Sequence, residues 1–361
     1  MLRRSASSSS SPIYTALARL TKLNSNNNRS SNRLLLASRK TSRGKTTPLL
    51  VLLFLLLVLL IAAVTVVFLL PSISDHVVVV CRGHSTVREP QGGGEEAALG
   101  VPARRHELRN LDPFLLLDEF AVSKPGGFPD HPHRGFETVT YMLEGAVTHQ
   151  DFSGRKGTIR AGDVQWMTAG RGIVHSEMPA TDGVQKGLQL WINLPAKDKM
   201  TEPQYQELQS KDISEASRGG VDVRIIAGEA FGVRSPVYTR TPTMYMYFTM
   251  RPGSQLHQPI PAGWNAFVYI IEGEGAFGGE DAAPATAHHC LVLGADGDGL
   301  SAWNRSGAPL LFALAAGQPL REPLVQQGLF VMNTRAEIQQ AMEDYYHGRN
   351  GFEKAKQWTS A

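Results

Sequence analysis

Cysteine is almost missing from this sequence: Cys81 and Cys290 are the only two in 361 residues. Two thiols cannot build the disulfide framework of a bridge-stapled secreted domain, and such usage suits a reducing compartment. Helical periodicity is equally scarce before Asn333, which excludes a helix bundle or an alternating α/β chain. Acidic residues are missing from residues 1–48, which hold ten Lys and Arg, so residues 49–361 carry 26 basic against 33 acidic side chains, a net charge of −7. A folded region of that sign is not a nucleic-acid binder by electrostatics.

What residues 1–48 do contain is eleven Ser, an Asn run and seven Arg, a composition that cannot form a core and reads as a disordered basic tail. Ser-rich, Arg-rich and acid-free is also the pattern of organelle transit peptides. Residues 49–70 then run without a charged residue. As a helix they would be about 33 Å long, enough to cross a bilayer core. The segment is apolar all round, unlike a buried amphipathic helix, and longer than a signal-peptide core. The expectation is a single-pass N-terminal membrane anchor, with Lys40, Arg43 and Lys45 ahead of it and Asp75 behind it favouring a cytosolic or matrix-side N-terminus. Removal of residues 1–70 would instead leave an organelle product.

Beyond residue 100 the pattern is short strands and tight turns. Examples are TVTYML (138–143), LQLWINL (188–194), VDVRIIAG (221–228), MYMYFTM (244–250) and AFVYII (266–271), rich in Val, Ile, Tyr and Phe and bounded by Gly, Pro and Asp. Thr334 with Glu337 has the form of a capping box opening one helix that ends near Gly348. The fold class is therefore all-β, two barrels or sandwiches with a C-terminal helix. LPAKDKMTEPQYQELQS (194–210) reads as the connection, which sets domains at 71–210 and 211–361.

An internal repeat supports the division. FETVTYMLEG (136–145) returns 128 residues later as WNAFVYIIEG (264–273), with Tyr141 on Tyr269 and Glu144-Gly145 on Glu272-Gly273. The first copy is flanked by chemistry that the second lacks. His131 and His133 stand two apart in HPHRG, and His175 and Glu177 two apart in VHSE. On a strand, residues i and i+2 share a face, so each pair can aim into one cavity, and three imidazoles with one carboxylate converging there make a transition-metal site. Carried through the offset, His131 falls on Pro259, His133 on Pro261 and His175 on Trp303, so no second metal is expected; His257, His288 and His289 do not reproduce the paired spacing. Glu137 competes with Glu177, since an i,i+4 spacing from His133 would keep it on the same face. Glu177 is taken as the ligand and Glu137 as a near neighbour. Asp130 and Arg134 flank the first pair as residues that orient it, or as a surface ion pair. Phe128, Phe136, Trp166 and Met167 line or back the cavity, or pack the core.

HPHRGFETVTYMLEG, DVQWMTAGRGIVHSEMP, GLQLWINLP, EPQYQEL, VYTRTPT, QPIPAGW, PLREP and FVMNT together resemble the pirin family of bicupins over residues 110–358. The resemblance implies two stacked cupin jelly-roll barrels and one iron, Fe2+ or Fe3+, per chain, held in the N-terminal barrel by the matching His131, His133, His175 and Glu177. It implies either a quercetin 2,3-dioxygenase-type enzyme acting on a flavonol and O2, or a nuclear or cytoplasmic redox-dependent co-regulator that binds a transcription factor as protein partner. A third class is a metal-stabilised cupin whose anchor locates an interaction surface. The donor set suits Fe(II), although Mn, Ni or Cu can occupy the same ligands. Four protein ligands leave about two octahedral positions open for oxygen and substrate, and Glu177 is the expected catalytic base. A monomer is expected. Two departures stand out: PQGGGEEAALGVPARR replaces the hairpin ahead of HELRNLDP, and the N-terminal tail and apolar stretch lie outside the family's common core.

Overall fold

The computed structural model of the protein describes residues 85–86, 110–294 and 297–360. Its first barrel is built from eight strands, β1 (Phe114–Val122), β2 (Phe128–His133), β3 (Phe136–Glu144), β4 (Ala146–Asp151), β5 (Lys156–Arg160), β6 (Val164–Thr168), β7 (Ile173–Pro179) and β8 (Gln185–Asn193). They pair as β1-β8-β3-β6 in one sheet and β2-β7-β4-β5 in the other. Each connection from one sheet to the other makes the double Greek key of a jelly roll. The short strand Ser85–Thr86 and β9 (Gln204–Leu208) extend the larger sheet at its two edges.

The second barrel repeats this plan. Its strands are β10 (Ser214–Arg218), β11 (Val221–Ala227), β12 (Thr243–Met250), β13 (Gln255–Pro259), β14 (Asn265–Glu272), β15 (Glu274–Phe277), β16 (Ala285–Thr286), β17 (Cys290–Val292), β18 (Gly299–Trp303) and β19 (Leu310–Gly317). The larger sheet runs β10-β11-β12-β19-β14-β17 and the smaller β13-β18-β15-β16. The repeated segments thus become β3 and β14, the equivalent central strand of each large sheet.

The two large sheets face each other. Val139, Tyr141, Trp166, Leu188 and Leu190 of the first pack on Tyr245, Phe267, Tyr269, Ala313 and Ala315 of the second. This explains why β3 is buried at every residue from Phe136 to Met142 rather than at alternate ones: one face looks into its own barrel, the other into the inter-barrel core. The interiors differ. Met246, Phe248, Met250, Val268, Ile270, Leu300, Phe312 and Leu314 fill the second barrel with hydrocarbon. In the first, Phe120, Val122, Met142, Val147 and Ile159 fill one end, Met167, Ala169 and Ile173 another part, and polar side chains occupy the space between.

The helix α1 (Arg335–His347) has Thr334 as N-cap in a complete capping box with Glu337, and Gly348 closes it in the left-handed conformation at φ 65°. Although it follows the second barrel in sequence, it packs on the first: Ile338 and Ala341, with Phe330, Met332 and Phe352, cover Val174 of β7. Asn304 of the Asn-Arg-Ser sequon is fully buried, its Nδ2 donating to the Met250 and Ala308 carbonyls. The folded barrel therefore presents no acceptor amide there.

The expectation of a membrane-anchored protein is corrected here. Among the described residues no helix is long and apolar enough to cross a membrane. Residues 49–70, on which that expectation rested, and the tail 1–48 lie outside the described residues.

Candidate metal centre

Pairing across β2 and β7 sets His131 directly opposite His175, with His133 opposite Ile173. Alternation along β7 puts His175 and Glu177 on one face, and β4 brings Asp151 and His149 opposite them. Side chains opposite each other on an antiparallel pair share a face and lie within contact distance. The result is a cluster of three imidazoles, His131, His133 and His175, each offering a ring nitrogen within 4.8 Å of the others. Ring centroids are 4.7 Å apart for His131–His133, 4.4 Å for His131–His175 and 5.0 Å for His133–His175. His133 and His175 are buried, and His131 is half-buried at the rim.

Three features fit this cluster to a cation. First, His131 Nδ1 lies 2.7 Å from the Pro129 carbonyl, an arrangement that places the proton on Nδ1 and leaves Nε2 as the donor atom. Second, His133 Nδ1 and both ring nitrogens of His175 are buried without a hydrogen-bond partner. Buried polar atoms are rarely left so, because each costs about 1–3 kcal/mol. Third, burial and then the neighbouring imidazoles push His133 and His175 well below the usual histidine range. Burial also lowers His131, against an opposing pull from the Glu177 charge. Neutral imidazole is the form in which histidine binds a metal, so three such rings packed together could hold one. No ion is needed to explain the fold of the second barrel, whose interior is apolar.

Glu177 lies on the same face as His175, but its oxygens fall outside the 4.8 Å set formed by the three imidazoles. Oε2 accepts from Gln189 Nε2 at 3.1 Å, and Oε1 has a long 3.4 Å contact from Thr140 Oγ1. The Gln189 amide is itself oriented, because its Oε1 accepts from Trp191 Nε1 at 2.8 Å. Trp191 also meets the edge of the His133 ring at 5.6 Å and Phe136 at 4.7 Å. Thr140, Gln189 and Trp191 were not singled out from the sequence. The alternation of LQLWINL marks Gln189 and Trp191 as one face, but nothing local shows which face meets Glu177.

Glu137 does not compete. The corner at Arg134-Gly135 separates β2 from β3 and resets the alternation, with Gly135 at φ 86°. Phe136 faces the imidazoles, whereas Glu137 turns to the inter-barrel side. There Thr168 Oγ1 donates to it at 2.6 Å and the Trp166 indole faces it. Burial pushes its carboxyl up to about 7. Trp166 therefore belongs to the inter-barrel core, not to the cavity. Phe128 packs on Phe120, 5.7 Å away, away from the rings. Of the flanking pair, Asp130 accepts from the Ser360 backbone N–H at 3.1 Å and its charge acts on His131. Arg134 points away from the imidazoles altogether.

The Pirin profile matches residues 96–192, and that of the Pirin C-terminal cupin domain matches residues 245–351. The chain is 66% identical over 270 residues to a pirin-like protein of Solanum lycopersicum, spanning 75% of this chain and 92% of that one. It is 52% identical to the pirin of Homo sapiens over 278 residues, covering 76% and 96%. Among solved structures, quercetin 2,3-dioxygenase from Acinetobacter baumannii superposes with a TM-score of 0.61 at 37% identity, covering 65% of this chain and 85% of that one.

Proposed function

The chain belongs to the pirin family, and we propose that it is an iron-dependent flavonol dioxygenase of the quercetin 2,3-dioxygenase type, working in its first cupin barrel. The observation that carries the reading is the cluster of three imidazoles, two of them buried, in which His133 Nδ1 and both ring nitrogens of His175 have no hydrogen-bond partner. The likeness to the quercetin 2,3-dioxygenase of Acinetobacter baumannii, at 37% identity, supports it. His131, His133 and His175 would hold the ion, with Glu177 as the fourth ligand. Iron bound there would supply the redox chemistry that O2 and a flavonol require.

The chain's own residues do the rest. Glu177 takes up the proton of the flavonol hydroxyl as the substrate docks, at Oε1, the oxygen held by the longer contact. Gln189, fixed by Trp191, keeps donating to Oε2 and so holds the carboxylate in place through the transfer. Phe136 and Trp191, both packed on the His133 ring, give the site apolar walls that limit water.

The test is anaerobic loading with Fe(II), metal analysis and oxygen uptake with a panel of flavonols. Glu177→Gln keeps the size and one oxygen donor but removes the charge. It should retain most of the iron and lose most oxygen uptake. A parent fully loaded with Fe(II) that consumes no oxygen with any flavonol overturns the enzymatic reading, and leaves the iron-dependent regulator binding a protein partner.

A further inference from the structure

The two strands that carry the imidazoles are held from behind by a segment from the far end of the chain. β2 ends at His133, and Arg134 with Gly135 forms the corner that follows. Residues 329–331 lie directly on that corner: Arg134 N donates to the Leu329 carbonyl at 3.3 Å, and Val331 N to the Arg134 carbonyl at 3.0 Å. A Cβ on Gly135 would sit 1.9 Å from the Val331 oxygen, so this approach requires glycine. Lys199, itself buried, adds its Nζ to the Gly135 carbonyl at 2.9 Å and to the Val331 carbonyl at 3.3 Å.

The Arg134 side chain extends the hold to the second ligand strand. Its Nε donates to the Arg171 carbonyl at 2.6 Å, in the turn that leads into β7 and His175. Its Nη1 donates to Asp344 Oδ2 at 2.9 Å, and its Nη2 to the Asn350 carbonyl. The guanidinium lies 4.7 Å over the Phe352 ring, which packs on Gly172 and shares a cluster with Val174, the neighbour of His175. Both members of the ion pair are at most 2% exposed at the side chain. Asp344 is in turn gripped by Gln340 Nε2 at 2.8 Å, Arg349 Nε at 3.1 Å and Asn350 Nδ2 at 2.8 Å. A guanidinium so placed is not a general stabiliser of the surface. Its donors tie the end of one ligand strand, the entrance to the other, and the C-terminal segment into one rigid unit.

We infer that Arg134 is a positioning residue of the metal centre, and that residues 329–352, through the Arg134–Asp344 pair, set the spacing between the strand of His131 and His133 and that of His175. The inference rests on the reading that these imidazoles hold an ion. It makes metal retention in the first barrel depend on a segment that follows the second barrel in sequence.

The test uses the full chain loaded with Co(II), read by its visible absorption and by the rate at which a chelator removes the ion. Asp344→Asn keeps shape and removes the charge that Arg134 pairs with. Arg134→Lys keeps the charge, loses the fork and serves if the first variant does not fold. Val268→Ala, a cavity in the second barrel's core, is the control for lost stability alone. Asp344→Asn or Arg134→Lys should change the Co(II) spectrum and speed metal release about tenfold or more, the usual scale for residues behind a ligand. Val268→Ala should lower the melting temperature with the parent's spectrum and release rate. Either positioning variant folding with the parent's spectrum and rate overturns the inference alone. A parent that takes up no Co(II) overturns the metal reading and the inference together.

Discussion

Glu137→Gln separates two roles that a buried carboxylate beside a metal centre is easily given. The side chain is 1% exposed, accepts from Thr168 Oγ1 and lies on the inter-barrel face. Burial raises its carboxyl from 4.5 to about 7. The folded chain therefore holds this proton where the unfolded chain releases it. Stability falls as pH rises from about 4.5 to 7, and the loss is complete above the folded value. At 1.36 kcal/mol per unit, the charged form costs the fold on the order of 3 kcal/mol at pH 8. Gln reproduces the neutral acid at every pH, at a cost of about 1 kcal/mol if one hydrogen bond is poorly replaced. The variant should thus melt several degrees above the parent at pH 8 and within a few degrees of it at pH 5, with unchanged metal content at both. Thermal melts of metal-free and metal-loaded protein, with metal analysis, read all three. A variant that loses stability equally at both pH values refutes the burial argument. One that loses its metal would make Glu137 a ligand after all.

His133→Ala should abolish uptake of Fe(II) and lower the melting temperature of metal-treated protein, whereas His257→Ala, in the second barrel, should leave metal content as in the parent; metal analysis after desalting checks both. Asp344→Ala should cost about 3–5 kcal/mol at pH 7, because it strands a buried guanidinium. The carboxyl is pushed up by burial but held on balance below its ordinary 3.8 by bonds from Arg134, Asn350, Gln340 and Arg349. Its contribution is therefore full above about pH 4 and fades as pH falls through the folded value, so acid melts of parent and variant should converge. Grafting histidines by Pro259→His with Gly299→His should add no second metal and should lower stability, since a Cβ at residue 299 meets the Gln258 carbonyl at 2.4 Å; a second equivalent of bound metal refutes this.

Much of the architecture is legible in the sequence because its determinants are local. Val, Ile and aromatic runs between Gly and Pro place the strands, and Thr334 with Glu337 and Gly348 fixes both ends of α1. Period-two spacing brings His131, His133 and His175 to one face once β2 and β7 pair. What the sequence does not carry is long-range. Nothing near Arg134 announces Asp344, 210 residues away. Nothing in the helix pattern shows that it covers β7 of the first barrel instead of the second. Glu137 is misplaced by counting through a corner as though β2 and β3 were one strand, and the left-handed Gly135 is the local feature that breaks the count.

The repeat shows how far a fixed offset can be trusted. Between the central strands β3 and β14 the offset of 128 is real, since both occupy the same place in their sheets. Carried on to the ligands, it pairs His131 with Pro259 and His175 with Trp303. Yet His131 lies opposite His175 in the first barrel, whereas Pro259 lies opposite Gly299 in the second, and Trp303 opposite Gln255. The strands between these two are shorter in the second barrel and outweigh its longer loops, so the offset drifts by four residues before the second ligand strand is reached. The position that answers to His175 is therefore a glycine pressed against the Gln258 backbone, not a bulky indole. A cavity needs room as well as donors, and here the second barrel has given up both: proline and glycine stand at the ligand register, and Met246, Phe248, Val268 and Phe312 fill the volume. The first barrel keeps its interior polar between two apolar layers at the expense of packing. Orphaned ring nitrogens on His133 and His175 make sense only if something outside the chain satisfies them.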